Sequence, residues 1–152
     1  MSAAWPGAAQ RVLALRLRPG DDLRVALEAA FAAEAEPSGF VLTCVGSLSR
    51  ATLRYAGRKD GSVTEGPTEI VSLSGTFSPD GCHLHAALSD EDGAMTGGHV
   101  LPGCIVRTTV EAVIGLTDAV RFGREPDEAT GYAELAIAEG QSNGSMGRRT
   151  VR

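Results

Sequence analysis

His83 and His85, in the run His83-Leu84-His85, and His99, in Gly97-Gly98-His99, are all the histidines of this 152-residue chain. Imidazole is the commonest metal-ligating side chain and the one that titrates nearest neutrality. Chemistry is therefore expected in this short stretch. Three neutral imidazoles with a fourth position left open suit Zn²⁺, and other divalent first-row transition metals also accept nitrogen ligands. The expected metal ligands are His83, His85 and His99. Water on such an ion is acidified to near neutrality and becomes a nucleophile, but catalysis also needs a general base and a pocket. Glu111 is the weak candidate for that base. The competing reading makes it a strand glutamate paired with Arg107 or another basic residue.

The residues between the two histidine clusters must form a hairpin if all three rings are to meet. Side chains two apart on a strand point to one face, so His83 and His85 share a face and Cys82, Leu84 and Ala86 share the other. Asp90-Glu91-Asp92-Gly93 supplies the turn. With Glu91-Asp92-Gly93 as a three-residue loop ending in a left-handed glycine, His85 falls directly across from His99, with Cβ atoms roughly 5 Å apart. A two-residue turn at Glu91-Asp92 slips the register by one and turns His99 away. Gly97 and Gly98 carry no side chains, which would open an approach to a metal for solvent or a small ligand. A tight turn at Pro102-Gly103 would fold the next strand back with Val106 opposite His99 and Glu111 on the other face. Cys82 and Cys104 read as small core side chains.

The remaining elements follow from periodicity. Residues 11–18 alternate as a half-buried strand. Leu23, Ala26, Leu27, Ala30 and Phe31 mark one face of a helix, capped by Asp21 or Asp22 and ended before Pro37. Strands are expected over 40–45, 51–55 and 69–77, with a bend over 46–49 and a turn at Ser78-Pro79-Asp80-Gly81. Further strands cover 82–89, 94–101 and 104–114, and weaker ones 118–122 and 132–137. The class is α+β, one principal α-helix on a mainly antiparallel β-sheet. Residues 1–9 are expected as a flexible tail, 10–138 as the domain and 139–152 as a disordered tail.

Composition narrows the partners. Fourteen basic against 19 acidic residues give a net charge of −5, which opposes general affinity for DNA, RNA or anionic membranes. Hydrophobic residues at 43% and charged ones at 22% describe a soluble globular chain. Cys44, Cys82 and Cys104 are odd in number and lack metal or redox spacing, which favours reduced thiols and a cytoplasmic location. The opening Met1-Ser2-Ala3-Ala4-Trp5 has neither the positive start nor the apolar run of a signal peptide. No stretch approaches a membrane span.

The run from His83 to Val106, with Asp90-Glu91-Asp92-Gly93, Gly97-Gly98-His99 and Pro102-Gly103, resembles the PPC family, the plants and prokaryotes conserved domain (domain of unknown function 296). Glu69-Ile70-Val71-Ser72-Leu73-Ser74-Gly75, Thr109-Val110-Glu111-Ala112-Val113-Ile114-Gly115 and Arg121-Phe122-Gly123-Arg124-Glu125-Pro126-Asp127 extend the similarity across 11–137. The resemblance implies a curved antiparallel sheet, a homotrimer, a DNA-binding or regulatory role, and a metal site through His83, His85 and His99. In plant relatives a separate AT-hook, Arg-Gly-Arg-Pro, enters the minor groove. This chain has no such motif, and Gly66-Pro67-Thr68 stands where the plant proteins carry Gly-Arg-Phe. These departures count against DNA as a partner. Three readings follow: a metal-holding regulatory or assembly module, a zinc-class hydrolase or related enzyme with a small-molecule ligand at the metal, and a DNA-associated regulator.

Overall fold

The structure, a computed structural model, describes residues 11–140. The expected tail at 1–9 and most of that at 139–152 lie outside the described residues. In chain order the elements are β1 (Arg11–Leu17), α1 (Leu23–Ala32), β2 (Ser38–Arg54), β3 (Ser62–Ser78), β4 (Gly81–Ser89), β5 (Met95–Val100), β6 (Ile105–Thr117), β7 (Val120–Pro126) and β8 (Ala133–Glu139). Glu139, placed by the sequence in a tail, closes the β7–β8 ladder opposite Val120.

Asp22 caps the helix, accepting from the Val25 amide at 3.2 Å, a contact of the kind worth about 1 kcal/mol. Its other carboxylate oxygen accepts from the amide of Gly103, so one side chain both starts α1 and fixes the segment leading into β6. Leu23, Leu27 and Phe31 form the buried stripe of α1. The Phe31 ring stacks on Phe77 of β3 with centroids 5.5 Å apart. Gly39 has no room for a Cβ, which would stand 2.9 Å from the Phe31 ring.

Six strands form one antiparallel sheet in the order β1-β6-β2-β3-β4-β5, and β5 returns to pair with β2. That return makes the sheet curl on itself around Leu48, Leu53, Leu84, Leu88, Val100 and Val106, all essentially inaccessible. The two stretches expected over 40–45 and 51–55 are one strand of 17 residues. Its apparent break at Gly46 is a glycine at φ +150° inside a ladder that shifts register at Leu48/Arg50. An irregularity of that kind bends a strand and sharpens its twist without ending it.

The tight β5–β6 hairpin at Pro102-Gly103 does not form. β6 lies between β1 and β2, and β5 pairs with β4 and, through Val100 and His99, with Leu53 and Arg54 of β2. The Leu101 amide donates to the Thr52 carbonyl at 3.0 Å, and Pro102 has no N–H to offer a ladder. The chain therefore crosses over here instead of reversing. β7 and β8 make a separate two-stranded sheet, tied on by Ser38, whose hydroxyl donates to the Val120 carbonyl at 2.8 Å and accepts from the Phe122 amide at 2.7 Å.

Candidate metal centre

The β4–β5 turn takes the three-residue form. Gly93 has φ +80°, the Asp90 amide donates to the Ala94 carbonyl at 3.0 Å, and the Asp90 carboxylate accepts from the Asp92 and Ala94 amides. Ladder pairing then runs from Ser89↔Met95 to His85↔His99. Cys82, Leu84 and Ala86 are buried while His83 and His85 point outward. The ring centroids of His83, His85 and His99 lie 4.9, 5.0 and 5.5 Å apart.

One nitrogen from each ring can be chosen so that all three lie within 4.8 Å of one another. The Nε2 atoms of His83 and His85 are 3.1 Å apart, close to the roughly 3.3 Å edge implied by Zn–N bonds of ~2.0–2.1 Å in a tetrahedron. His99 Nδ1 is buried with no hydrogen-bond partner among the described residues. Buried polar nitrogens are ordinarily satisfied, so an orphan on a ring packed against two other imidazoles fits a donor set for a metal ion.

Arginines surround the rings. Cross-strand pairing sets Arg54 opposite His99, and Arg124 of β7 donates to the Thr76 hydroxyl at 2.9 Å, Thr76 being the ladder partner of His83. A cavity of about 270 Å³ is lined by these two arginines, His83, His99, Tyr132 and Glu134 among others. Burial first, then the charge of Arg54, pushes His99 down to about 4. Burial and Arg124 lower His83 as well. Both rings are thus kept in the neutral form that a metal requires.

A pH dependence follows for the metal-free protein. His99 takes up its proton in the unfolded chain near pH 6.5 but in the folded one only near 4. Its contribution to stability is fully present above pH 6.5, declines as the pH falls and is gone below about 4. Imidazole proton NMR should show a His99 midpoint near 4, and the melting temperature should fall across the same interval. A His99 midpoint at an ordinary value would overturn this electrostatic picture.

Glu111 is exposed and stands opposite Arg16 of β1 and Val45 of β2. Among the described residues, the group that could hold a metal comprises His83, His85 and His99; Glu111 is not in it. Gly97 is exposed and Gly98 half-buried, and strand packing gives both a second reason to be small. A Cβ on Gly97 would come 2.9 Å from the Ala86 carbonyl, and one on Gly98 2.7 Å from that of Arg54. Neither position has room for a side chain where β5 is wedged between β4 and β2. Cys82 is inward, its thiol donating to Glu28 at 3.0 Å and raised to about 12 by burial and that carboxylate. Sequence reading did not pick out Arg54, Arg124, Tyr132 or Glu134 as site residues, because they reach the histidines only through strand pairings and the packing of a second sheet.

The Plants and Prokaryotes Conserved (PCC) domain, abbreviated PPC above, matches residues 6–118. The chain belongs to this family. Among PCC relatives, it is 47% identical over 132 residues to the bifunctional protein GlmU of Synechococcus sp. (strain JA-3-3Ab), a match covering 87% of this chain and 21% of that protein. It is 32% identical over 111 residues to AT-hook motif nuclear-localized protein 8 of Arabidopsis thaliana, covering 67% of this chain and 27% of that one. The chain therefore spans only about a fifth to a quarter of these curated relatives. A hypothetical protein from Salmonella cholerae-suis superposes with a TM-score of 0.82 at 43% identity, over 85% of this chain and 94% of that one. A metal-containing protein from Archaeoglobus fulgidus superposes with a TM-score of 0.74 at 26% identity, over 89% and 99% respectively. Among the described residues, no helix is long and apolar enough to cross a membrane.

Proposed function

We propose that this PCC domain is a metal-binding regulatory or assembly module. It holds one divalent first-row transition ion, zinc foremost, on His83, His85 and His99. The observation that carries the reading is the buried Nδ1 of His99, unpartnered among the described residues, on a ring packed against two imidazoles whose Nε2 atoms stand 3.1 Å apart. The Archaeoglobus relative described as metal-containing supports it. We extend the proposal to a cytoplasmic homotrimer, in line with the family resemblance. Leu42, Val45 and Val71, each more than half exposed, supply apolar surface for such contacts. The charge of −5 counts against DNA as the partner.

A second reading, metal-dependent hydrolysis of a small molecule, is favoured by one observation. Glu134 lines the same cavity as His83 and His99, and a carboxylate there can hold or move a proton. An ion bound to the imidazoles would supply an acidified water. Arg54 and Arg124 would orient the substrate, and Glu134, rather than Glu111, would be the base.

Elemental analysis and light scattering of the dialysed protein test the main reading together. One ion per chain and a particle mass three times the 15.7 kDa of the chain are expected. Less than about a tenth of an ion per chain after incubation with zinc would sink it.

A further inference from the structure

Arg54 and Arg124 line one cavity, are both partly buried, and have no carboxylate within ion-pair distance among the described residues. Arg24, Arg50 and Arg11, by contrast, are each paired with glutamates. Arg124 uses one donor on Thr76, and Arg54 makes no side-chain hydrogen bond among the described residues. A guanidinium carries five N–H donors in a planar fork matched to carboxylate and phosphate oxygens. Partly buried cations lacking a counter-charge are costly unless something supplies one. Glu134, which lines the same cavity, offsets one of the two charges and leaves the cavity net positive.

We propose that this cavity binds a small oxyanion, carboxylate or phosphoryl, gripped by the forks of Arg54 and Arg124 with a free oxygen turned toward the three histidines. The proposal rests on the metal reading only in that the free oxygen would complete the coordination of an ion held there. Size restricts the ligand: about 270 Å³ lies just below the ~300–1,000 Å³ typical of drug-sized ligands. Tyr132 also lines the cavity and is 65% exposed, so an aromatic side chain is available to whatever group carries the anion. Strand pairing makes the arrangement rigid, since Arg54 shares a ladder rung with His99 and Arg124 is bonded to the ladder partner of His83.

Calorimetric titration of inorganic phosphate and of malonate, separately, into zinc-loaded and chelator-treated full-length protein tests this and separates the two sources. Metal content is measured before and after each titration, so that stripping of zinc by the anion is detected. Binding of at least one anion is expected, with Arg54→Ala and Arg124→Ala each weakening it about tenfold or more at unchanged zinc content. Arg54→Lys and Arg124→Lys keep the charge but lose the fork, and should fall between. Circular dichroism confirms that each variant is folded. If zinc loads but neither anion binds, or the alanine variants bind as the wild type does, the oxyanion site is refuted and the metal reading stands. If zinc does not load, the metal reading fails; arginine-dependent anion binding in that protein still supports the cavity, and its absence refutes it.

Discussion

Replacing His85 with alanine is expected to leave a folded protein that holds its metal at least ~100-fold more weakly. The lower bound comes from partners outside the coordination shell, whose loss already costs about 10–100-fold; His85 is assigned a direct bond. His85 is the exposed member of the triad, and the core side chains of its strand, Leu84 and Ala86, point the other way. Truncation there opens no cavity, so stability should stay within about 0.5 kcal/mol of wild type. Competition against a chromophoric chelator measures the affinity, and a thermal melt of the metal-free forms controls for folding. Undiminished affinity would place the ion elsewhere. His99 is a less clean target, because it is half-buried and sits against β2.

Gly75→Ala carries the largest expected effect on stability. Gly75 has φ +147° and pairs with Leu84, between the two β4 histidines. A Cβ there would run into the carbonyl group of His83. That atom is backbone in the middle of a sheet, so no side chain can swing aside. The substitution combines a disfavoured conformation with a collision, and a loss of about 3 kcal/mol or more is expected in urea denaturation. Gly93→Ala separates the two contributions. Gly93 has φ +80° with nothing within 4 Å of its would-be Cβ, so it should lose only about 1–2 kcal/mol for the left-handed conformation. Equal losses at the two positions would show that the contact with His83 is not limiting. Surviving Gly75→Ala protein should also bind metal more weakly, since the clash displaces the strand between two ligands.

The helix and the histidine hairpin were legible because local rules determine both. An aspartate before an apolar stripe started α1, and alternation plus one glycine-ended turn brought His85 to His99. The continuity of β2 was not legible. Gly46 carries the residue type of a turn, and only its close approach to Thr109 and Val110 of β6 reveals a kink within a continuing strand. The second partner of β5, strand β2, was also out of reach, since a strand's sequence specifies its own faces and not which distant neighbour it will pair with. For that reason Pro102-Gly103 suggested a reversal that Thr52 and Asp22 instead turn into a crossover. Arg54 and Arg124 suffered from the same limit. Nothing in the spacing of either announces that separate strands carry them to one cavity.

Because inward and outward side chains alternate along β4, a single strand packs Leu84 into the interior and presents His83 and His85 outside it. Interior and exterior are then thermodynamically reciprocal. An ion held by the imidazoles would brace the backbone on which the interior is hung, raising resistance to unfolding with the logarithm of its free concentration above its dissociation constant. Conversely, a loosened interior must be paid back as poorer retention of the ion, although nothing near the ion has changed.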